Sequence, residues 1–341
     1  MLVRALSRPP GYRADVRAVV ITQPGNPDVL AVRDVPDPVP GPLDVVVRVA
    51  AAGVNRADLL QRAGHYPPPP GAPAWPGLEV SGTVVARGDG LGPDDLQPGD
   101  RVAALLAGGG YAELVAVPAA LTLRLPDDLS TVDAAALPEG LATVWSNLRA
   151  ARLAPAEVLL VRGGSGGVGT VAVQLARALG TRVLATAGGP ERTARVLALG
   201  ADAALDHREP GLAERVRDAT DGRGADVVLD VLGGGGLAEN LAMLAEDGRL
   251  VVIGMQQGRR GELDLSVLLS KRASILGTTL RSRPHEQKVA IMDGVRRHAW
   301  PFVEDRWVRP VVHARLGFDQ AADAHRLLES GEAFGKILLI P

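Results

Sequence analysis

Between residues 157 and 255 the chain repeats one pattern: a short apolar run, a turn residue, then apolar positions three and four apart. The first run, 157–161, leads through glycines into a stretch where Val168, Val171, Ala172, Leu175 and Leu179 share one helical face, and Gly180 ends it. Arg182–Ala187 is the next run, with Pro190 where a helix starts and Gly200 where it stops. Valine-rich 225–232, a helix over 237–245 closing near Gly248, and a strand over 249–255 complete the series. Uninterrupted apolar strands alternating with helices predict a doubly wound parallel sheet covered on both faces.

The first 140 residues have another texture. Runs at 16–21, 43–50, 80–86, 101–106 and 112–117 are short, strand-like and divided by Gly and Pro clusters, which predicts a β-rich domain. The tail returns to it: a strand over 309–316, a helix over 319–329 with Ala321, Ala324, Leu327 and Leu328 inward, and a last strand Lys336–Ile340. This tail is expected to rejoin the first domain, giving a division into 1–139 with 286–341, and 140–285. A domain inserted in this way leaves a cleft at the boundary, a usual place for a substrate.

The turn between the first strand and helix of the α/β part carries the chemistry. Gly164, Gly166 and Gly169 satisfy G-x-G-x-x-G, with Gly167 and Val168 between them. Missing side chains there permit a sharp turn, close approach of a pyrophosphate and tight helix–strand packing, while the opening amides of the helix attract the phosphates. Residues 163–167 also fit G-x-S-x-G, a nucleophile elbow with Ser165 as nucleophile, but an elbow does not require the three glycines that phosphate approach explains.

Composition narrows the classes. The 341 residues suffice for about two domains. Apolar residues make up 46%, yet no run reaches the roughly 20 needed to span a bilayer. Thirty-seven basic residues nearly balance 39 acidic ones without a long run of either sign, which argues against nucleic acid as a partner. The absence of cysteine excludes disulfides, thiol nucleophiles, iron–sulfur clusters and cysteine-bound zinc. Residues 1–14 carry Arg4, Arg8 and Arg13 and no acid, but have prolines and no long apolar core, so they read as a disordered extension of a cytoplasmic protein.

Several segments together resemble a known family: Gly-Val-Asn-Arg-Ala-Asp-Leu-Leu-Gln-Arg at 53–62 running on to the prolines before Gly71, Gly-Leu-Glu-Val-Ser-Gly at 77–82, Gly-Tyr-Ala-Glu at 110–113, the turn at 163–169 and Gly-Lys-Ile at 335–337. The chain is similar to zinc-free quinone oxidoreductases, in the ζ-crystallin-related branch of the medium-chain dehydrogenase/reductase superfamily. The likeness covers nearly everything beyond residue 15. It implies a GroES-like β-rich domain joined to a Rossmann domain, NADPH as cofactor and quinones as substrates. Zinc-using relatives place metal ligands where this chain has Asn55, Leu78 and Glu139, so no catalytic zinc is expected, and substrates that are already electrophilic are favoured.

Cofactor choice follows from residues near the second strand. Leu-Ala-Thr-Ala-Gly-Gly at 184–189 lacks the acid that grips a ribose 2′-hydroxyl in NAD sites, Gly188 and Gly189 form the turn, and Arg192 offers a guanidinium to a 2′-phosphate. Glu191 beside it complicates that reading. His207 stands where the family has a tyrosine near this phosphate. At the reacting end the resemblance points to Tyr66, Asn55 and Thr143: Tyr66 as a hydroxyl donor or else a loop anchor, Asn55 as a cleft residue or else a helix cap, Thr143 beside the nicotinamide or else a satisfied hydroxyl. Gly254 and Met255, then Thr279, Leu280 and Arg281, follow later strands and are expected to touch the cofactor. Lys336 is expected either to reach a phosphate or to guard a sheet edge. The remaining histidines show no metal spacing.

The leading expectation is therefore a metal-free NADPH-dependent quinone reductase acting as a homodimer through the apolar run 273–280. A reductase of enones, enals or enoyl thioesters would use the same apparatus. A low-turnover NADPH-binding protein with a structural or RNA-contacting role is the expectation from another class.

Overall fold

The computed structural model describes residues 15–341, and the reading of 1–14 lies outside it. Two compact units form. One holds the chain up to Pro138 together with Val312–Pro341, the other Glu139–Val311.

In the first unit, β1 (Asp15–Ile21) and β2 (Leu30–Pro36) make an antiparallel ribbon. Next come β3 (Asp44–Gly53), helix α1 (Arg56–Arg62), β4 (Glu79–Arg87), β5 (Arg101–Leu105), β6 (Leu114–Pro118) and β7 (Thr122–Arg124). The sequence pattern located β1, β3, β4, β5 and β6 within a few residues. It passed over β2, whose side chains are mostly half-buried or exposed and so leave little apolar signal.

The second unit opens with α2 (Pro138–Ala150) and then alternates: β8 (Val158–Val161), α3 (Gly167–Ala178), β9 (Arg182–Ala187), α4 (Pro190–Ala198), β10 (Ala203–Asp206), α5 (Leu212–Asp218), β11 (Ala225–Asp230), α6 (Leu237–Met243), β12 (Leu244–Val252), α7 (Leu265–Ser270) and β13 (Ser274–Gly277). The strands are parallel in the order β10-β9-β8-β11-β12-β13. Chain order runs outward from β8 in one direction and from β11 in the other, so the switch point lies between them. Helix α3 is buried from Gly169 through Ala176, not on one face alone, as befits a helix packed against the sheet centre. The strand expected at 249–255 starts earlier and ends at Val252, because α6 stops at Met243 and β12 follows without a loop.

Helices α8 (His285–His298) and α9 (Trp300–Glu304) belong to this second unit, which shifts the expected return from residue 286 to Val312. The reason is packing. Gly294 of α8 lies so close to Trp145 of α2 that an added Cβ would stand 2.2 Å from the indole nitrogen. Gln174 of α3 clasps the Arg309 backbone from both sides, accepting its N–H at 3.0 Å and donating to its carbonyl at 3.1 Å.

Only then does the chain re-enter the first unit with β14 (Val312–Gly317), α10 (Ala321–Ser330) and β15 (Lys336–Ile340). These complete a sheet ordered β14-β15-β3-β4-β5-β7, with β6 also paired to β3. In α10, Ala321 and Ala324 face inward as expected, but Leu327 and Leu328 are only half-buried, and His325 is fully enclosed.

Candidate active site

In the second unit the site residues gather where the parallel strands end. Gly163, at φ +79°, makes the turn after β8, and an added Cβ at Gly169 would stand 2.1 Å from the Gly163 carbonyl. A side chain there would collide with the backbone of the turn, so α3 packs against it as closely as a dinucleotide-binding turn requires. Gly164 gives its N–H to the Thr186 carbonyl at 2.8 Å, and Gly166 gives its N–H to Gly163 at 3.1 Å. These two amides are taken up inside the turn. Gly167, Val168 and Gly169 open α3, where the first N–H groups of a helix have no intrahelical acceptor, and they remain to meet an anion. Ser165 is 9% exposed and the positive φ belongs to Gly163, not to the serine, which is unlike a strained, exposed elbow nucleophile.

After β9, Gly188 and Gly189 turn into α4, and Arg208 lies across them: Cβ atoms built there would meet its guanidinium at 3.0–3.2 Å. Sequence reading missed Arg208, because the partly buried strand β10 that delivers it was too weakly apolar to be recognised. His207 precedes it, and burial lowers the imidazole from its ordinary pKa against the raising effect of Asp206. Asp206 accepts the Arg208 N–H at 2.9 Å. Arg192 is half-buried in the first turn of α4, and Glu191 beside it is exposed.

Two further strand ends behave differently. Gly254 sits so close to β11's exit that a Cβ would meet the Val231 carbonyl at 2.7 Å, whereas Met255 is 55% exposed. Asp230, buried at the end of β11, accepts the Leu232 and Gly233 amides at 3.0 and 2.8 Å and fixes that turn. Beyond β13, Thr278 donates to Asn147 at 2.6 Å, and Asn147 donates to the Thr143 carbonyl at 2.7 Å. Thr143 and the segment Thr279, Leu280 and Arg281 are thus tied through a buried asparagine that sequence reading overlooked. The Thr143 hydroxyl donates to Glu139 at 3.3 Å. That of Thr279 shares a hydrogen with Ser282 at 2.9 Å.

The first unit presents a buried polar network. Asn55 starts α1, and its backbone N–H donates to Asp58 at 2.8 Å, the capping half expected from the spacing. Its side-chain amide donates to Glu79 at 2.9 Å and to the Gly53 carbonyl at 3.3 Å, while its oxygen accepts from Lys336 at 2.5 Å. An asparagine amide has two hydrogens, so no donor remains to steady charge on a substrate oxygen. Lys336 departs from both of its expectations: 4% exposed, its ammonium pairs with the fully buried Glu79 carboxylate, and β15 lies inside the sheet, so it neither reaches out to a phosphate nor guards an edge.

Asp58 joins a second branch. It accepts the Gly77 N–H at 2.9 Å and the Tyr111 hydroxyl at 3.3 Å. Arg62 can only donate, so its 3.3 Å contact fixes His325 Nδ1 as acceptor, and Nε2–H must donate to Tyr111 at 3.3 Å. Burial, reinforced by Arg62, pushes His325 down to about 3, so it is neutral. Burial first, then Asp58, raises Tyr111 well above the ordinary phenol value. Tyr66 is half-buried in the turn beyond α1. Among the described residues no group of His, Cys, Asp or Glu could hold a metal ion, and no helix is long and apolar enough to cross a membrane.

Comparison with known proteins agrees with this architecture. Residues 41–127 match the alcohol dehydrogenase GroES-like domain, and residues 167–293 the zinc-binding dehydrogenase family. The chain is 33% identical over 331 residues to a quinone oxidoreductase of Rattus norvegicus, covering 95% of this chain and 98% of the relative. Of the solved structures, the quinone oxidoreductase of Pseudomonas syringae pv. tomato DC3000 superposes with a TM-score of 0.84 at 31% identity, over 96% of this chain and 100% of that one. A mycobacterial structure complexed with NADPH gives 0.85 at 30% identity, over 96% and 100%. The chain belongs to the quinone oxidoreductase family of the medium-chain dehydrogenase/reductase superfamily.

Proposed function

We infer that this protein is an NADPH-dependent quinone reductase. The observation that carries the reading is the glycine turn at the sheet's switch point, with α3 opening on it, in a chain related over nearly its full length to quinone oxidoreductases. Bound NADPH supplies the reducing equivalents. The protein's own part is to hold and orient. The amides of Gly167, Val168 and Gly169 receive the pyrophosphate, and helix polarity adds to their attraction. Arg208 and Arg192 flank the Gly188–Gly189 turn and supply planar donors to a 2′-phosphate, with His207 beside them. Gly254, Met255 and the segment 279–281 line the later strand ends.

Tyr66, half-buried in the turn beyond α1, is the residue whose hydroxyl would meet the substrate oxygen, the role the family resemblance suggests. A quinone needs only a placed reductant and a hydrogen bond to the carbonyl on which charge grows, contributions that positioning and a fixed donor supply. Asn55 serves by setting the start of α1, from which the Tyr66 turn follows.

Assembly as a homodimer is part of this reading. Strand β13 is the outer strand of its sheet, with Ile275 37% exposed, and Leu265 and Leu269 of neighbouring α7 are 60% and 73% exposed. An open edge beside apolar side chains is suited to pairing with a second copy. A cytoplasmic location completes the proposal.

Steady-state oxidation of NADPH and NADH against a panel of quinones and enones tests the function. Quinone turnover with a preference for NADPH is expected, and Arg208→Ala should erode that preference by about tenfold. Binding without turnover of any quinone would overturn the assignment.

A further inference from the structure

The loop leaving β12 carries two arginines that the proposed function does not use. Gly258, Arg259 and Arg260 line an open cavity, and both arginines are exposed. Among the described residues, neither guanidinium has a hydrogen bond or an ion pair. Asp264, close by in the chain, is already committed to the Ser266 N–H at 2.8 Å.

The loop that presents them is seated as a strap. Four consecutive glycines, 233–236, follow β11, and the strap lies on them backbone to backbone: Gly234 and Gly235 give their N–H groups to the carbonyls of Gly258 and Gln257 at 2.9 and 3.0 Å. A Cβ built at Gly234 would stand 2.1 Å from the Arg260 carbonyl, and one at Gly261 2.2 Å from that of Gly234. A loop that only meets solvent needs no such close seating. One that holds two side chains in place does.

Contacts within the unit fix where the strap lies. Val231, just beyond β11, is the nearest side chain to a Cβ built at Gly163, at 3.3 Å, and its carbonyl accepts the N–H of Gln256 at 3.1 Å. The strap is therefore one residue away from the glycine turn at the switch point, where an open parallel sheet binds its ligand. Arg208 and Arg192 stand on the β9 and β10 side of that point, and the strap stands on the β11 and β12 side. A dinucleotide lying across the point with its 2′-phosphate at Arg208 has its other end on the side of the strap.

We propose that Arg259 and Arg260 select substrates that carry an anionic group set away from the reducible ring. The inference rests on the quinone reductase reading and names a substrate class within it. A guanidinium matches a carboxylate with two parallel donors, and these two have no internal partner to give up when one arrives.

A benzoquinone with a propanoate side chain, compared with the methyl ester of the same compound, tests the proposal, because the ring is the same and only the distal charge differs. In steady-state turnover by the full chain at low salt, kcat/KM should be about tenfold higher for the acid than for the ester, mostly through KM. Raising the salt to about 0.5 M should shrink the preference, since exposed charges are screened. The double variant Arg259→Gln/Arg260→Gln should lose the preference while keeping turnover of the ester and affinity for NADPH. Equal kcat/KM for acid and ester in the parent, or equal losses of both in the variant, would show that the arginines do not read the charge. A variant that loses NADPH affinity instead would assign them to the cofactor, and the proposal fails. Turnover of neither quinone brings down the quinone reading itself and this proposal with it, whereas the other failures leave that reading standing.

Discussion

The glycine turn of one unit and the buried network around Asn55 in the other solve opposite problems. At the turn, side chains are absent so that backbone amides can approach an anion. Around Asn55, side chains do everything: Asp58, Glu79, Arg62, Lys336 and His325 are each at most 4% exposed and satisfy one another. The first arrangement tolerates no added atom, the second no removed one. Both are costly to build, and the cost appears at different steps: binding for the turn, folding for the network.

Three substitutions would break this contrast or sharpen it. Lys336→Met has the largest expected effect, because it leaves Glu79 charged and enclosed; a loss of about 3–5 kcal/mol in urea unfolding is expected. Adding Glu79→Gln should recover part of it, and a single variant as stable as the parent would remove the network's structural role.

Acid comes next. His325 has a folded pKa of about 3, below an unfolded value of about 6.5, so the unfolded chain binds the extra proton between them. Its contribution is fully present above pH 6.5 and is lost as pH falls toward 3, amounting to something on the order of 4 kcal/mol. Urea midpoints measured across that range should flatten in His325→Gln; an unchanged slope would mean that the ring is not buried neutral.

The smallest of the three is Gly169→Ala. Its methyl group would collide with the backbone of Gly163 and Gly164, so the turn itself must shift, and NADPH affinity should fall about a hundredfold, near 2.7 kcal/mol, more than the loss in unfolding free energy. Fluorescence titration of NADPH reads the affinity, and equal losses of binding and stability would erase the division drawn here.

Legibility from sequence divided along the same line. The turn was readable because glycine spacing encodes backbone geometry locally, strand β8 is apolar throughout, and β9 and β11 each carry a central apolar run. The network was not. Lys336 and Glu79 are 257 residues apart, and only the closing of β15 onto β3 brings their surroundings together. Asn55 was half legible: its cap position followed from Asp58 three residues on, but the destination of its amide depended on that remote lysine. Arg208 and Asn147 escaped for a different reason. Arg208 follows a weakly apolar strand and Asn147 stands on a helix of mixed burial, and neither pattern gave warning of what lies across from it.

The late return of the chain has a consequence for synthesis. Strand β15 lies between β14 and β3, and its first residue carries the cation that Glu79 needs. On a ribosome, which delivers the N-terminal end first, residues 139–311 can therefore mature while the segment made before them still waits, its acidic interior uncompensated, for Lys336–Ile340 to emerge. Loss of those last few residues would strike the part of the protein that was made first.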